Sequence, residues 1–170
     1  MPTVRLRPRE AGDEAFLFDL YSTLRAPEFA PLPIPESQKE QLIRMQYLAQ
    51  NSAYAAQYAG SDYQIVLRDD RPVGKIRIAR LAGEFHLVDI VLVPEARNAG
   101  IGTFLLKQLQ QEAENAGLPV RSTVFRFNPG SLRFHRHLGF RIVGEDEIEV
   151  RMEWLPAADA DANNPGQDHG

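Results

Sequence analysis

The chain has 170 residues, no cysteine, a formal net charge of −4 and a pI near 5.6. A chain of this length buries roughly 70% of its unfolded surface and needs no disulfide or metal staple, and without cysteine it has no thiol nucleophile. The acidic balance excludes a protein-wide basic field for nucleic acid, MPTVRLRPRE has no apolar signal core and no apolar run approaches the ~20 residues of a membrane span, so a cytoplasmic protein engaging neither nucleic acid nor membrane is expected.

Val4 and Leu6 alternate with Thr3, Arg5 and Arg7, which predicts a strand. Phe16, Leu17, Leu20 and Leu24 then recur at helical spacing over residues 15–25. PEFAPLPIPE (27–36) carries four prolines and is expected to be a connecting loop, because proline interrupts a helix interior. SQKE (37–40) reads as a capping box in which Ser37 accepts from the Glu40 amide and Glu40 reaches back, opening a helix through LIRMQYLAQNSAYAAQY. After Gly60 the period switches: YQIVLRD, a turn at DDRP, and VGKIRIARL predict a β-hairpin. EFHLVDIVLV follows, a strand whose near-continuous apolar end predicts a central position covered on both faces. GIGTFLLKQLQQEAENAG is an amphipathic helix with Ile101, Phe104, Leu105, Leu109, Ala113 and Ala116 on its apolar stripe, ended by Gly117 and Pro119. VRSTVFRF predicts a strand, SLRFHRHL a short helix stopped by Gly139, and FRIV another strand. EIEVRMEW closes the fold with Ile148, Val150, Met152 and Trp154 alternating against charges, and it offers an edge through which two copies can pair as a homodimer. The segment 156–170 has almost nothing to bury and is expected to be a disordered tail. The order implies one domain over residues 1–155, an α/β (α+β) mixed sheet with helices on its faces, because hairpins feed a single βαβ crossover.

The strongest chemical signal is LVPEARNAGIGTF (92–104), where a buried strand turns into a helix through Gly100-Ile101-Gly102. Glycine lets backbone amides approach a ligand, and a helix N-terminus supplies unpaired N–H groups and a positive dipole end suited to pyrophosphate. Arg97 can add charge-assisted hydrogen bonds. No Gly-Lys-Ser/Thr follows, so the segment is not a Walker loop, and Leu105 stands where a dinucleotide fingerprint has its third glycine or alanine. Two glycines in a tight strand-to-helix turn remain the plain structural alternative. The four histidines do not form a metal site: His135 and His137 lie two positions apart, about 200° around a helix, and His86 and His169 show no ligand spacing with them.

RNAGIG after a strand ending LVP resembles the R/Q-x-x-G-x-G/A motif of the GNAT superfamily of N-acetyltransferases, and NPGSLRFHRHLGF (128–140) resembles that superfamily's N-x-x-[AS]-x-x-[LF]-Y-x-x-x-G-F pattern at every spacing. The resemblance covers residues 3–155 and implies a mostly antiparallel sheet in which a parallel pair, 84–93 and 120–127, splays to receive acetyl-CoA. It implies that main-chain groups of Val91, Leu92 and Val93 pair with the pantetheine and thioester. It likewise assigns Arg97, Asn98, Ala99, Gly100, Ile101, Gly102 and Thr103 to the pyrophosphate, and Asn128 and Ser131 to the pantetheine arm. The activity implied is transfer of an acetyl group from acetyl-CoA to a primary amine of a small molecule or peptide, without a metal. The superfamily's tyrosine, which often protonates the leaving thiolate, is replaced by His135, either a catalytic proton donor or a residue lining the cofactor tunnel.

Asp89 interrupts the apolar run of its strand, where a carboxylate is expensive unless hydrogen-bonded or functional. It is the candidate general base, with a structural acceptor as the alternative. Glu84 and His86 are weaker candidates, and Arg25, Glu28, Tyr47 and Tyr54 are candidate acceptor-site liners. The alternative function is an acyl-CoA-binding module with little or no turnover, serving as a sensor or assembly subunit.

Overall fold

Asp69 and Asp70 both take left-handed backbone angles, φ 50° and 67°, between Arg68 and Arg71, which pair across the hairpin. Two successive positive φ values give a turn whose twist matches its flanking strands, and aspartate tolerates this conformation better than most residues. The computed structural model describes residues 3–157. Seven strands, β1 (Val4–Pro8), β2 (Asp62–Arg68), β3 (Arg71–Arg80), β4 (Phe85–Leu92), β5 (Val120–Phe125), β6 (Arg141–Glu145) and β7 (Glu149–Trp154), form one mixed sheet in the order β1-β2-β3-β4-β5-β7-β6. The chain packs as two compact units, residues 1–79 with 89–99 and residues 80–88 with 100–170.

In the first unit β1 (Val4–Pro8) pairs antiparallel with β2 (Asp62–Arg68), which pairs antiparallel with β3 (Arg71–Arg80). Helices α1 (Glu14–Phe29) and α2 (Glu36–Gln57) pack on one face of β2. Leu17, Phe18 and Tyr21 of α1, Ile43 and Tyr47 of α2, and Ile65 and Leu67 of β2 make that core. Each such side chain contributes about 1.5–3 kcal/mol on burial.

Two expectations for this unit are corrected. Helix α1 does not stop before the proline-rich segment but carries Pro27 in its last turn. Only the hydrogen bond that residue 27 would have donated is lost, and Ala30 still donates to Ala26, so the helix survives to Phe29. Ser37 does not cap α2. The helix begins two residues earlier, at Glu36, with Pro35 as N-cap at ψ 148° and its carbonyl receiving the Gln38 and Lys39 amides.

In the second unit the first half of β4 (Phe85–Leu92) pairs parallel with β5 (Val120–Phe125). Helix α3 (Ile101–Ala116) packs on β5 and buries Ile101, Leu105, Leu106, Leu109 and Ala113, while Phe104 and Ala116 of the expected stripe are exposed. Helix α4 (Pro129–His137) leads into β6 (Arg141–Glu145) and β7 (Glu149–Trp154). β7 pairs with β5 on one side and β6 on the other, so the closing strand is interior and offers no edge. β6 folds outside it and takes the edge position. Pro156 is buried and the Ala157 amide donates to the Glu114 carboxylate, so these two residues of the expected tail are packed, and the rest of it, from 158 onward, lies outside the described residues.

The β4–β5 ladder covers three register pairs, Phe85–Val120, His86–Arg121 and Leu87–Ser122. β5 runs on against β7 to the Phe125–Glu149 pair. In the first unit the end of β4 stays against β3, with the Val93 amide donating to the Val73 carbonyl at 2.8 Å. Gly74 of β3 permits that approach, since a Cβ there would run into the Val91 carbonyl oxygen and the Leu92 side chain.

Candidate functional site

Gly100 is the N-cap of α3 and sits at φ 82°, ψ 2°, a left-handed conformation that costs glycine nothing. It has no side chain to cap with, and no side-chain hydrogen bond closes this helix end. The first amide drawn into the helix is that of Phe104, which donates to Gly100 O at 2.9 Å. The amides of Ile101, Gly102 and Thr103 are therefore the orphan donors of a 16-residue helix, gathered at its positive end. Gly102 has a second reason to be glycine: a Cβ there would stand 3.1 Å from Phe134 Cζ of α4.

Just before this, Asn98 also holds a positive φ, 59°. Arg97, Asn98 and Ala99 are exposed, and Arg97 Nε donates to the Leu92 carbonyl at 3.1 Å. The guanidinium is thus pinned to the strand end, with its Nη groups left over for a ligand. At that strand end the Val93 amide points at β3, and the Val91 carbonyl lies beside Gly74 of the same strand. Main-chain groups of successive residues point to opposite edges of a strand. Of the three residues assigned to the thioester, Val91 and Val93 therefore face β3, and Leu92 alone directs its N–H and C=O to the other edge.

Asn128 caps α4. Its Oδ1 accepts the Ser131 amide at 3.1 Å, leaving the Nδ2 donors for any other role. Ser131 lies in the first turn of α4. Its carbonyl accepts from His135 Nδ1 at 2.8 Å, and His135 Nε2 meets Ser122 Oγ of β5 at 3.1 Å. A carbonyl can only accept, so Nδ1 carries the proton and Nε2 accepts from the serine hydroxyl. The ring is 2% exposed and packs edge-on against Phe140 at 5.0 Å. Burial pushes its pKa below the ordinary histidine value, opposed by the bond to Ser131. Two roles are open to His135, proton donor or tunnel-lining residue, and the fold holds a ring with both nitrogens engaged. His137 is exposed.

The first unit contains a second polar cluster. Lys75 of β3, only 3% exposed, places Nζ 2.9 Å from Asp89 Oδ2. That ion pair explains why an aspartate interrupts the apolar strand: it is the counter-ion of a buried lysine. Tyr63 of β2 stands opposite Arg77 in register, and its ring lies 5.9 Å from Lys75 Nζ and 4.8 Å from the Arg77 guanidinium carbon. The Tyr63 hydroxyl is buried without a hydrogen-bond partner. Burial pushes its pKa up to about 12, with the Asp89 charge adding to the rise, and the same two causes raise the Tyr54 hydroxyl. Both phenols stay neutral and lie near enough to Asp89 to feel its charge. Lys75, Tyr63 and Arg77 were missed in the sequence. The available signal was a lysine inside VGKIRIA, a second charge interrupting a buried run, which pairs naturally with Asp89.

Of the other candidate liners, Tyr47 is core, donating its hydroxyl to Glu14 at 2.7 Å, and Arg25 is paired with Glu28 at 3.0 Å. Glu84 and His86 belong to the second unit, where they wall a cavity of about 340 Å³ with Arg121, Arg151 and Glu153. Arg121 bridges Glu84 at 3.3 Å and Glu153 at 2.9 Å, so these groups form an ion-pair network. Burial lowers the His86 pKa. Among the described residues no group of three or more His, Cys, Asp or Glu is placed to hold a metal ion, and no helix is long and apolar enough to cross a membrane.

Residues 17–140 match the model of the acetyltransferase (GNAT) family. PaiA N-acetyltransferase from Thermoplasma acidophilum, solved in complex with coenzyme A, is similar at TM-score 0.67 and 21% identity, over 90% of this chain and 99% of that one. An acetyltransferase from Thermus thermophilus is similar at TM-score 0.62 and 18% identity, over 90% and 97% of the two chains. The ribosomal-protein-S18-alanine N-acetyltransferase of Escherichia coli is similar at TM-score 0.60 and 15% identity, over 90% and 94%. At these identities the likeness is one of fold. No curated protein matches the sequence.

Proposed function

The chain belongs to the acetyltransferase (GNAT) family, and from that premise we propose that it is an acetyl-CoA-dependent N-acetyltransferase acting on a primary amine of a small molecule or peptide, with the first turn of α3 seating the cofactor's pyrophosphate. The observation that carries the assignment is the uncapped helix end behind left-handed Gly100, where the amides of Ile101, Gly102 and Thr103 have no side-chain partner. An anion there satisfies donors that otherwise need water. Arg97, tethered through Nε, adds charge from the adjoining loop. Asn128 Nδ2 and Ser131 are assigned to the pantetheine arm.

The reaction needs a neutral amine, a donor for the oxyanion that develops on the thioester oxygen, and an exit for the thiolate. The Leu92 amide, which points away from β3, is assigned to the oxyanion. Asp89 is assigned to the acceptor amine, through the oxygen not taken by Lys75. The nitrogen lone pair attacks the carbonyl carbon, the C–S bond breaks as the carbonyl re-forms, and the ammonium proton leaves to base or solvent. His135 is assigned no proton transfer: its one proton is committed to the Ser131 carbonyl. It acts as a strut between α4 and β5.

The test is calorimetry with acetyl-CoA, CoA and ATP, followed by thiol release against a panel of amines. Binding of both CoA species with weak or no ATP binding, and CoA release with at least one amine, is the expected result. Stabilisation by ATP alone would sink the reading. A second reading, an acyl-CoA-binding module without turnover, is favoured by the neutral, buried His135 in the place of the family's tyrosine. CoA binding without thiol release from any amine would select it.

A further inference from the structure

The geometry points to a specificity device in the first unit: the stacked guanidinium of Arg77, beside the Lys75–Asp89 pair, receives a carboxylate, so that the acceptor amine belongs to a short aminocarboxylate, a free amino acid or a close analogue. This deepens the transferase reading and rests on it.

Arg77 is held in place without a counter-ion. Its Nε donates to Ser61 Oγ at 3.0 Å, and its guanidinium carbon lies 4.8 Å from the Tyr63 ring centre and 5.8 Å from that of Tyr54. Among the described residues it forms no ion pair, so its Nη groups face no carboxylate. The other charges near it are matched: Lys75 by Asp89, Arg9 by Glu14 and Arg25 by Glu28. Arg77 is thus a cation stacked against two rings with no ion-pair partner of its own among the described residues. Stacking pre-organises the planar fork for bidentate recognition of a carboxylate at little entropic cost.

The spacing limits the ligand. Lys75, which fixes Asp89, and Arg77 are two residues apart on β3 and point to one face, about 6.6–6.8 Å apart at their Cα atoms. A ligand whose amine meets Asp89 and whose carboxylate meets Arg77 therefore spans neighbouring positions of one strand face, which favours a short aminocarboxylate over a long one. The buried Tyr63 hydroxyl, with no partner of its own, is a further donor on the same face. A polyamine has no anion for Arg77 and brings charge of the wrong sign.

The experiment measures thiol release by the full chain with acetyl-CoA and three amine sets: free amino acids, the same amino acids as carboxamides, and a linear polyamine. Expected is a kcat/KM preference for acids over their amides on the order of 10- to 100-fold, carried mainly in KM. Arg77→Met should bring the acid-to-amide ratio close to one. Arg77→Lys, which keeps the charge and loses the fork, should restore it in part, and it carries the test if Arg77→Met does not fold. Equal use of amides or the polyamine by the native chain, or an unchanged ratio in both variants, overturns the inference and leaves acetyl transfer standing. CoA binding with no release from any set overturns it together with the transferase reading.

Discussion

Gly102 of α3 and Phe134 of α4 meet so closely that a Cβ on residue 102 would lie 3.1 Å from the ring's Cζ. The two motifs of the family resemblance are thus joined by packing. Gly102→Val is expected to reduce acetyl-CoA affinity and also to destabilise the fold by about 1–3 kcal/mol, the cost of overpacking. Phe134→Ala should be sub-additive with it, because the second change removes the clash the first creates. Chemical denaturation of the two single variants and the double variant checks this; full additivity contradicts it.

Breaking the Lys75–Asp89 pair is expected to cost unequally. Asp89→Asn leaves a buried ammonium unpaired and should destabilise by about 3–5 kcal/mol. Lys75→Met leaves a carboxylate that reaches solvent, its side chain 21% exposed against 4% for lysine, and should cost clearly less. Urea midpoints of both variants and of the double variant test the order.

His135 predicts a pH dependence of stability. Its folded pKa lies below the unfolded value of about 6.5. Between the two values the unfolded chain binds a proton that the folded chain refuses. The stabilisation is therefore complete above about pH 6.5 and declines as pH falls toward the folded pKa. Melting temperatures from pH 5 to 8 should show that decline, and His135→Phe should make it shallower. Its complete removal is not expected, because buried His86 titrates in the same sense. If His135 is the strut proposed above, the pH–rate profile of His135→Phe between pH 6 and 9 keeps its shape.

Asp13 predicts a separate acid limb. Its carboxylate takes both Arg7 Nη groups at 2.8 Å and the Glu10 amide at 2.8 Å, and the Arg7 bonds hold its pKa down to about 2. Its stabilisation is present above the ordinary value of 3.8 and lost as pH falls toward 2. Asp13→Asn should cost about 1–2 kcal/mol at neutral pH, with the difference from the native chain shrinking below pH 4. Denaturation at pH 7 and pH 3 compares the two.

The periodic segments could be read from the sequence because their signal is local. Alternation fixed the hairpin around Asp69-Asp70, and the 3.6-residue stripe fixed α3, because each needs only its own burial to be decided. Pro27 and Ser37 misled the reading because a helix end is set by where neighbouring chain supplies carbonyls, as Pro35 does for α2. The closing strand misled it because edge or interior position depends on what folds against it. At the site, the motifs located Gly100, Gly102, Asn128 and His135, but not what these residues are engaged in. Gly102 answers to Phe134, Asn128 to the Ser131 amide, and His135 to Ser122, and each of those partners comes from spatial packing. Lys75 and Asp89 each looked costly alone and are intelligible only as a pair.

β6 closes the sheet at one end, and its pairing with β7 shifts register between Ile142 and Gly144. Ile142 and Val143 are exposed along it, with Arg141 and Glu145 at its two ends. A flat apolar edge of this kind recruits strands from other chains, whereas a short, bulged and charge-flanked one does not. The irregularity at Val143 thus acts as a guard against fibrillar growth. Deleting Val143 to straighten the strand would exchange a slightly imperfect ladder for an aggregation-prone protein.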